Sequence, residues 1–460
     1  MHRSKIFRAT LILLLGLALN SCGGGSDVTT PPPQGVKTGS IFVIGTDAPM
    51  PSVVAFRVTF TGLSVSDGTN SQSLLAQPQE LEFSRLNGLR TLLNLQSVPV
   101  GTYRSFTATL ANPVIYFLDT STNPPSVQTL NGTLTQSSVT VTLPNPVTVI
   151  ENDLVGILLD FRLRDSLLVD GSGQLTGQVN PALVLRVIPP DAHEAIIDEL
   201  RGGVVSVDAP NNSFVMQGPL GRQYTVVTDA QTFWEEGESL ATLTTNSVVE
   251  VSGSLQRQTL KLKATEIVVV SQDRFVVGGL VTDVRPGTGP ADQIDVLVRS
   301  ELPDLTNVQI GRITTFGFDG NERFMIHTMR FVFAPFLFNR GMLVEGQRVA
   351  VGGTQSGNTL DVRRVVLMRQ GLEGGWIPGS TNIISGNNGS FSFQTAGILG
   401  VLFGNPVRVY TSDLTRFVNL SGLNDLAGTT PMSLRVVGLV LKNPNTGEQL
   451  IVAMRVEKLQ

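Results

Sequence analysis

Four aspartates come closest to a catalytic or metal-binding pattern in type and spacing. Asp160, Asp165 and Asp170 recur at five-residue intervals, and Asp47 precedes Ala-Pro. A hydrolase needs two carboxyl groups at a fixed separation with pKa values pushed apart, and Asp160 and Asp165 are its candidates. Calcium needs several oxygens converging from one compact loop. Because Asp160, Asp165 and Asp170 are spread along a predicted strand, structural roles are favoured, with Asp47 accepting backbone N–H groups in a turn.

A second arrangement concerns Ser166. Its segment RDSL (Arg164–Leu167) is similar to the Gly-Asp-Ser-Leu motif of a lipase family, and Asp191 with His193 would complete a triad. The leading glycine is missing, however, and Asp191 and His193 are two positions apart rather than the three that this family uses. The segment also lacks the strand-to-helix elbow with an oxyanion hole. The sequence therefore argues against a serine hydrolase.

The histidines and aromatic residues indicate no metal site and only sparse sugar platforms. His327 lies inside a predicted strand without a second histidine or cysteine to share a metal, which favours a structural role. The tryptophans, Trp234 and Trp376, occupy different positions in their repeats. Carbohydrate binding by the first domain would need a solvent-facing row containing Tyr103 or Tyr116. We expect no catalytic, cofactor-binding or metal-ligating residue.

Composition indicates a mainly β protein that does not bind nucleic acid. The 460 residues are 41% hydrophobic and 15% charged, with 47 Gly and 25 Pro, which is typical of many short strands joined by tight turns. The formal net charge is -4, and no run of Lys and Arg is interleaved with aromatic residues. A phosphate backbone is therefore not an expected partner.

The first 36 residues predict export and anchoring. Residues 1–21 combine early basic residues with an apolar core that is too short to span a membrane, as in a signal peptide. The following LNSC resembles the lipobox of bacterial lipoproteins, which implies that Cys22, the single cysteine, is acylated and binds the lipid bilayer. By the rule of that family, Gly23 implies the outer membrane, with the periplasmic face and the cell surface both left open. Residues 22–36 are predicted to be a flexible tether, and a free thiol in an ordinary signal peptide is the alternative.

Residues 37–190 predict an antiparallel β-sandwich, because short alternating strands follow one another with polar turns. Three segments in order, Gly39–Pro49, Val98–Leu110 and Leu158–Val187, resemble an uncharacterised family of bacterial lipoprotein domains of unknown function. The resemblance implies no activity.

The rest of the chain repeats itself after a predicted short helical linker at 191–202, in which Asp191 would cap the helix and Gly202 would end it. Three segments that begin at Gly-Gly pairs predict OB-like β-barrel repeats at 203–272, 273–371 and 372–460. They are similar to a second uncharacterised family of extracytoplasmic repeats.

Three functional hypotheses follow. The first is a non-enzymatic envelope protein for binding, adhesion or structure, which contacts another envelope protein or a glycan. The alternatives are a carbohydrate-binding protein and a hydrolase of an envelope polymer that uses Asp160 and Asp165. The phenylalanine-rich segment Met329–Phe338 is interpreted mainly as core, with an exposed contact patch as the alternative.

Overall fold

Strands make up 62% of the structure and helices 7%, so the fold is mainly β, as the composition predicts. The computed structural model describes residues 36–459, with gaps at 49, 51–52, 76, 87–88, 120–125, 193–194, 219–221, 235–237, 272–274, 288, 303–304, 306, 328–337, 405 and 444. The predicted signal peptide, Cys22 and most of the tether lie outside the described residues. In the described part, no helix has the length and apolar character needed to span a bilayer.

A β-sandwich occupies the first part of the fold. Its elements are β1 Thr38–Ala48, β2 Val53–Ser66, β3 Ser71–Ser73, β4 Gln79–Glu82, β5 Thr91–Pro99, β6 Gly101–Asp119, β7 Ser126–Asn131, β8 Thr133–Leu134, β9 Ser138–Val149, β10 Leu154–Arg162, α1 Leu163–Ser166, β11 Leu167–Val169, β12 Leu175–Val179 and β13 Leu183–Ile188. One sheet has the order β13-β10-β1-β5, and the other is built on β3-β2-β6-β7, with β4 beside β2 and β9 beside β6. The pairing is antiparallel as predicted, except that β1 runs parallel to β10 and β8 parallel to β12.

Aromatic packing joins the two sheets of the sandwich. The ring of Phe161 on β10 lies 5.4 Å from that of Phe56 on β2 and 4.9 Å from that of Phe83. All three residues are fully buried. Burying a side chain of this size contributes about 1.5–3 kcal/mol, so these rings are a main source of sandwich stability.

Three barrels follow. The first contains β14 Ile197–Asp208, β15 Ser213–Gln217, β16 Gln223–Val227, β17 Phe233–Trp234, β18 Val248–Leu255 and β19 Leu262–Ser271. The second contains β20 Phe275–Arg285, β21 Gln293–Leu302, β22 Ile313–Gly317, β23 Arg323–Ile326, β24 Arg348–Ser356 and β25 Thr359–Met368. The third contains β26 Gln370–Trp376, β27 Asn382–Ser385, β28 Asn388–Thr395, α2 Gly397–Phe403, β29 Val407–Thr411, β30 Arg416–Val418, β31 Ser433–Lys442 and β32 Gln449–Lys458. Short 3-10 helices lie at Ser84–Leu86, Ala209–Asn211, Leu240–Thr242, Arg340–Met342 and Leu423–Leu426.

The three barrels share one strand order. The first runs β16-β15-β14-β18-β19 and closes through a parallel β16–β19 pair, and the third runs β29-β28-β26-β31-β32 and closes through β29–β32. The second has the same order from β22 to β25, without a closing pair between its described residues. Five strands of this kind form the small barrel predicted from the repeats.

The predicted helical linker is wrong over its second half. The structure continues as strand β14 from Ile197, which pairs with β18, and His193 lies outside the described residues. Ile197 and Leu200 are fully buried in the barrel core. The capping pattern was a local signal, and burial of these two side chains in a sheet overrode it.

The sandwich and the first barrel share a hydrophobic core. Phe42 and Leu158 on the outer face of the β13-β10-β1-β5 sheet belong to one cluster with Leu200 and Phe214 of the first barrel. That sheet is therefore covered on both faces, and residues 39–45 of β1 are all buried. The domains are consequently fixed against one another rather than strung along a flexible chain.

Glycines allow the barrel strands to approach closely. A Cβ added to the first strand would collide with a carbonyl oxygen of its neighbour at three equivalent positions: Gly202 with Gln217 at 2.3 Å, Gly279 with Leu297 at 2.3 Å and Gly374 with Gln394 at 2.0 Å. In each Gly-Gly pair, therefore, one glycine lies where a side chain would collide with the neighbouring strand.

We expect Gly374→Ala to destabilise the chain by about 1–3 kcal/mol, because its Cβ would have to displace a backbone carbonyl. Gly375→Ala is the matched control, since no atom lies within 4 Å of its added Cβ. Its free energy of unfolding should change by less than about 0.5 kcal/mol. Urea unfolding followed by fluorescence measures both, and equal losses would contradict this explanation.

Candidate functional site

A cleft of about 650 Å³ between the sandwich and the third barrel brings two of the predicted site residues together. Asp160, at the end of β10, and Asp165, on α1, both line it, as do Arg435 of β31 and Glu457 of β32. Sequence analysis proposed Asp160 and Asp165 as a carboxylate pair, and the fold places both on one surface. We call this site the basic cleft.

The acidic side chains of the basic cleft are matched by arginines. Arg162 lies 3.8 Å from Asp160 and 3.5 Å from Asp165. Arg435 donates two hydrogen bonds to Glu373, at 3.0 and 2.7 Å, and lies 3.9 Å from Glu457. Arg162 and Arg435 thus lie close to the carboxylates of the cleft and partly neutralise them.

Further basic side chains of the cleft have no acidic partner. Arg164, Arg186 and Lys458 are exposed and Arg90 is half-buried, and among the described residues no carboxylate lies within ion-pair distance of any of them. The chain as a whole is acidic, with a formal net charge of -4. A concentration of positive charge in a cleft attracts anions, and guanidinium groups bind carboxylates and phosphates with paired hydrogen bonds. This site could not be recognised from the sequence, because its basic residues come from distant segments of the chain.

Asp47 lies at the end of β1, beside the cleft. It is 1% exposed, and neither carboxylate oxygen has a hydrogen-bond partner in the described part of the chain. The predicted turn-closing role is therefore wrong, because Asp47 continues a strand that pairs with Phe161 of β10. Burial raises the pKa of Asp47 well above its usual value, and the charges of Asp160 and Glu82 add to that rise.

Burial likewise raises the pKa of Asp160, against the opposing charges of Arg435 and Arg162. One of its carboxylate oxygens is buried without a hydrogen bond to a described residue. A proton is thus held more tightly at Asp160 than at a free aspartate, which is a property of general acids as well as of buried structural carboxyls.

Asp170 and Ser166 have structural roles. The Asp170 carboxylate accepts hydrogen bonds from the backbone of Ser172 and Gln174, both at 2.9 Å, and from the Ser172 hydroxyl at 2.6 Å. Ser166 is fully buried, donates to the Arg162 carbonyl at 2.7 Å and accepts from the Ala182 amide at 2.9 Å. Its hydroxyl group is therefore engaged on both sides and held away from solvent.

Most tyrosine and tryptophan side chains offer little surface for stacking on a sugar, although Tyr410 of β29 is 41% exposed. Tyr103, Tyr116 and Trp376 are at most 5% exposed, and Trp234 is half-buried against the first barrel core. The hypothesis of a solvent-facing tyrosine row in the first domain is wrong, since both rings are buried. Of the predicted phenylalanine-rich segment, residues 329–337 lie outside the described residues, and Phe338 packs in the core of the second barrel.

His327 lies beside one carboxylate. It is 1% exposed, and its Nε2 is 3.3 Å from Glu266 Oε1. Burial lowers the pKa of His327 and raises that of Glu266, so both neutral forms are favoured. Among the described residues, no group of three or more His, Cys, Asp or Glu side chains is placed to hold a metal ion.

A buried ion network joins the first and second barrels. Arg348 of β24 donates to both carboxylate oxygens of Glu199 on β14, at 2.6 and 2.5 Å, and Arg369 Nε lies 3.7 Å from the same carboxylate. Glu199 is 4% exposed and Arg348 6%. Burial alone would raise the pKa of Glu199, but the two arginines outweigh it and lower that pKa to about 2. The carboxylate is therefore charged in the folded chain.

Two comparisons with known proteins bear on this architecture. Residues 38–176 match the model of a family described as Domain of unknown function (DUF4382), which covers most of the sandwich. Residues 201–268 match that of Domain of unknown function (DUF5666), within the first barrel. Both resemblances expected from the sequence are thus confirmed. No curated protein matches the chain. Two segments of the chain are therefore similar to families whose function is not described.

Proposed function

We propose that this chain is a non-enzymatic, lipid-anchored protein of the cell envelope that binds an anionic glycan in its basic cleft. The observation that carries the binding role is the group of exposed cations, Arg164, Arg186 and Lys458, that form no ion pair with a described carboxylate. Anchoring through acylated Cys22, in the outer membrane, is supported by the sequence pattern around that residue.

Two features favour an acidic glycan over other ligands. The cleft volume of about 650 Å³ falls in the range of small-ligand sites, so it could hold a few sugar units of a longer chain. Neutral sugars are bound mainly by stacking on exposed aromatic rings, whereas Tyr103, Tyr116 and Trp376 are buried and Tyr410, which is exposed, does not line the cleft. Carboxylate or phosphate groups on the sugar would instead be recognised by the arginines.

The cleft is tested with residues 37–460, which form one compact unit. We expect polygalacturonate, an acidic glycan, to bind, and neutral dextran not to bind, in calorimetric titrations at low salt. The double substitution Arg164→Gln and Arg186→Gln should weaken binding at least tenfold, because charge-assisted hydrogen bonds contribute about 1.5–3 kcal/mol each. Arg104→Gln, at an exposed arginine outside the cleft, is the matched control.

The same titrations also distinguish glycan binding in the cleft from nonspecific binding and from hydrolysis. Equal binding of dextran, or an equal loss with Arg104→Gln, would contradict recognition by the cleft. The hydrolase alternative draws support from the placement of Asp160 and Asp165 in the same cleft. Cleavage of polygalacturonate that Asp160→Asn abolishes would favour that alternative over simple binding.

Anchoring is tested separately in cells. We expect the full chain to incorporate a labelled fatty acid and to fractionate with the outer membrane, and Cys22→Ser to lose all of the label because it removes the single thiol. Ser21→Ala keeps a small residue before the cysteine and should retain the label. Label that persists in Cys22→Ser would contradict acylation at this residue.

A further inference from the structure

A small cavity lies where the sandwich meets the second and third barrels, apart from the basic cleft. Its volume is about 60 Å³, and its lining includes Ser84 and Arg85 from the sandwich, Arg299 and Arg348 from the second barrel, and Ala396 from the third. An apolar cluster formed by all three domains lies at the same junction. We call this space the junction cavity.

The lining of the junction cavity contains three arginines and one carboxylate, that of Glu373. Arg348 is engaged by Glu199, and Arg299 donates through Nε to the Val54 carbonyl at 3.1 Å. The guanidinium of Arg85 has no hydrogen bond or ion pair to a described residue. Three guanidinium groups therefore line one partly open space.

The nearest carboxylates are already occupied. Glu82 accepts hydrogen bonds from the backbone amides of Phe56, Ser84 and Arg85, at 3.0, 2.8 and 3.0 Å. Glu373, the carboxylate that lines the cavity, accepts two hydrogen bonds from Arg435. These contacts leave each carboxylate with less capacity to neutralise the arginines.

Two further observations point to a missing partner. Ser84 is 5% exposed, and its hydroxyl has no hydrogen-bond partner among the described residues. Burial lowers the pKa of Arg85 and of Arg299; the charge of Glu82 opposes that change, and the charge of Arg348 adds to it. A buried donor without an acceptor destabilises the folded chain, and more so beside unneutralised charge. An anion would satisfy the hydroxyl and the guanidinium groups together.

The size of the cavity narrows the choice of anion. A water molecule needs about 10–15 Å³ of such volume, so 60 Å³ holds roughly four to six water-sized atoms. A tetrahedral oxyanion has four oxygens, each able to accept from guanidinium or hydroxyl donors. A sugar polymer would not fit in this space.

We propose that the junction cavity binds one small tetrahedral oxyanion, of the phosphate or sulfate class, between Ser84, Arg85, Arg299 and Arg348. The bound anion holds the sandwich against the second barrel, because its donors come from both domains. Its role is to complete a three-domain junction, which is distinct from ligand binding in the basic cleft.

Equilibrium dialysis of residues 37–460 against radiolabelled sulfate, at fixed ionic strength, tests the proposal. We expect one sulfate per chain at this site, displaced by inorganic phosphate. Ser84→Ala should weaken binding about tenfold, because it removes one hydrogen bond to a charged group. Arg299→Gln should abolish it. Arg186→Gln, in the basic cleft, is the control and should leave this sulfate bound.

Stability gives a second readout if Arg299→Gln does not fold. Sulfate raises the melting temperature of most proteins through exclusion from their surface, without saturation, whereas a bound anion adds a saturable rise. We expect the saturable part in the wild type and its shift to higher sulfate in Ser84→Ala. Absence of stoichiometric binding, or binding that Ser84→Ala leaves unchanged and Arg186→Gln removes, would overturn the proposal. The latter result would leave the proposed function of the cleft intact.

Discussion

Glu199→Gln is expected to lower the free energy of unfolding by about 3–5 kcal/mol, the range measured when one partner of a buried ion pair is removed. The substitution keeps the size of the side chain but removes the charge that two buried arginines share. Arg348 would lose a two-point ion pair and Arg369 a carboxylate 3.7 Å from its Nε. Glu199 lies in the first barrel, Arg348 in the second, and Arg369 in the link between the second and third barrels. The loss should therefore appear as separation of the first barrel from the second before general unfolding.

Urea unfolding at neutral pH, followed by tryptophan fluorescence, measures this loss. Glu80→Gln is the matched control, since Glu80 pairs with Arg57 at 3.1 Å but is 47% exposed. An exposed pair contributes at most about 1 kcal/mol. The combined substitution Glu199→Leu and Arg348→Met should recover part of the loss, because it leaves fewer buried charges uncompensated. A loss no larger than that of Glu80→Gln would contradict a central role for the network.

The strands and repeats could be predicted because their signals are local. The structure of each segment is indicated by alternating apolar residues, by turn residues and by the repeated Gly-Gly pairs. The three barrels confirm that interpretation. The helical linker failed for the same reason: a capping pattern near Asp191 is a local signal, and the burial of Ile197 and Leu200 is a tertiary one. The local sequence pattern therefore predicts which strands are present better than it predicts where they begin and end.

The charged contacts at the junctions could not be predicted, because their partners are distant in sequence. Arg201 on β14 pairs with Glu250 on β18 at 3.0 Å, and the equivalent pair of the third barrel, Glu373 with Arg435, has the charges reversed. The second barrel has Gly278 at this position, and Arg201 packs over it. One signal was present in the sequence: charged residues stand inside predicted strands, beside the Gly-Gly pairs, where an isolated barrel would bury apolar side chains.

Asp47→Asn is expected to stabilise the chain at neutral pH, by roughly 2 kcal/mol, because it removes a buried carboxylate that accepts no hydrogen bond from a described residue and whose charge Arg435 only partly offsets. Burial raises the pKa of Asp47 in the folded chain above its ordinary value of 3.8. The folded state therefore holds this proton more tightly than the unfolded state does. That preference favours folding below pH 3.8 and is lost as the pH rises from 3.8 through the raised pKa. The advantage of Asp47→Asn should therefore grow with pH.

Urea midpoints of the wild type and Asp47→Asn between pH 4 and pH 8 test this sign. Glu250 and Glu266 also have raised pKa values and are unchanged in the variant, so they affect both curves alike. Asp160 is coupled to Asp47 by charge, so the difference between the curves reports the two carboxyls together. Asp170→Asn is a control of opposite sign, since hydrogen bonds from Ser172 and Gln174 lower the pKa of Asp170. That carboxylate stabilises the fold above its ordinary pKa and ceases to do so as the pH falls through its lowered value. The Asp170→Asn curve should therefore lie below the wild type by a nearly constant amount between pH 4 and pH 8, because this contribution is lost only below pH 3.8. The Asp47→Asn curve should lie above the wild type by an amount that grows with pH. Parallel curves for wild type and Asp47→Asn would mean that the Asp47 carboxyl gains no proton affinity on folding.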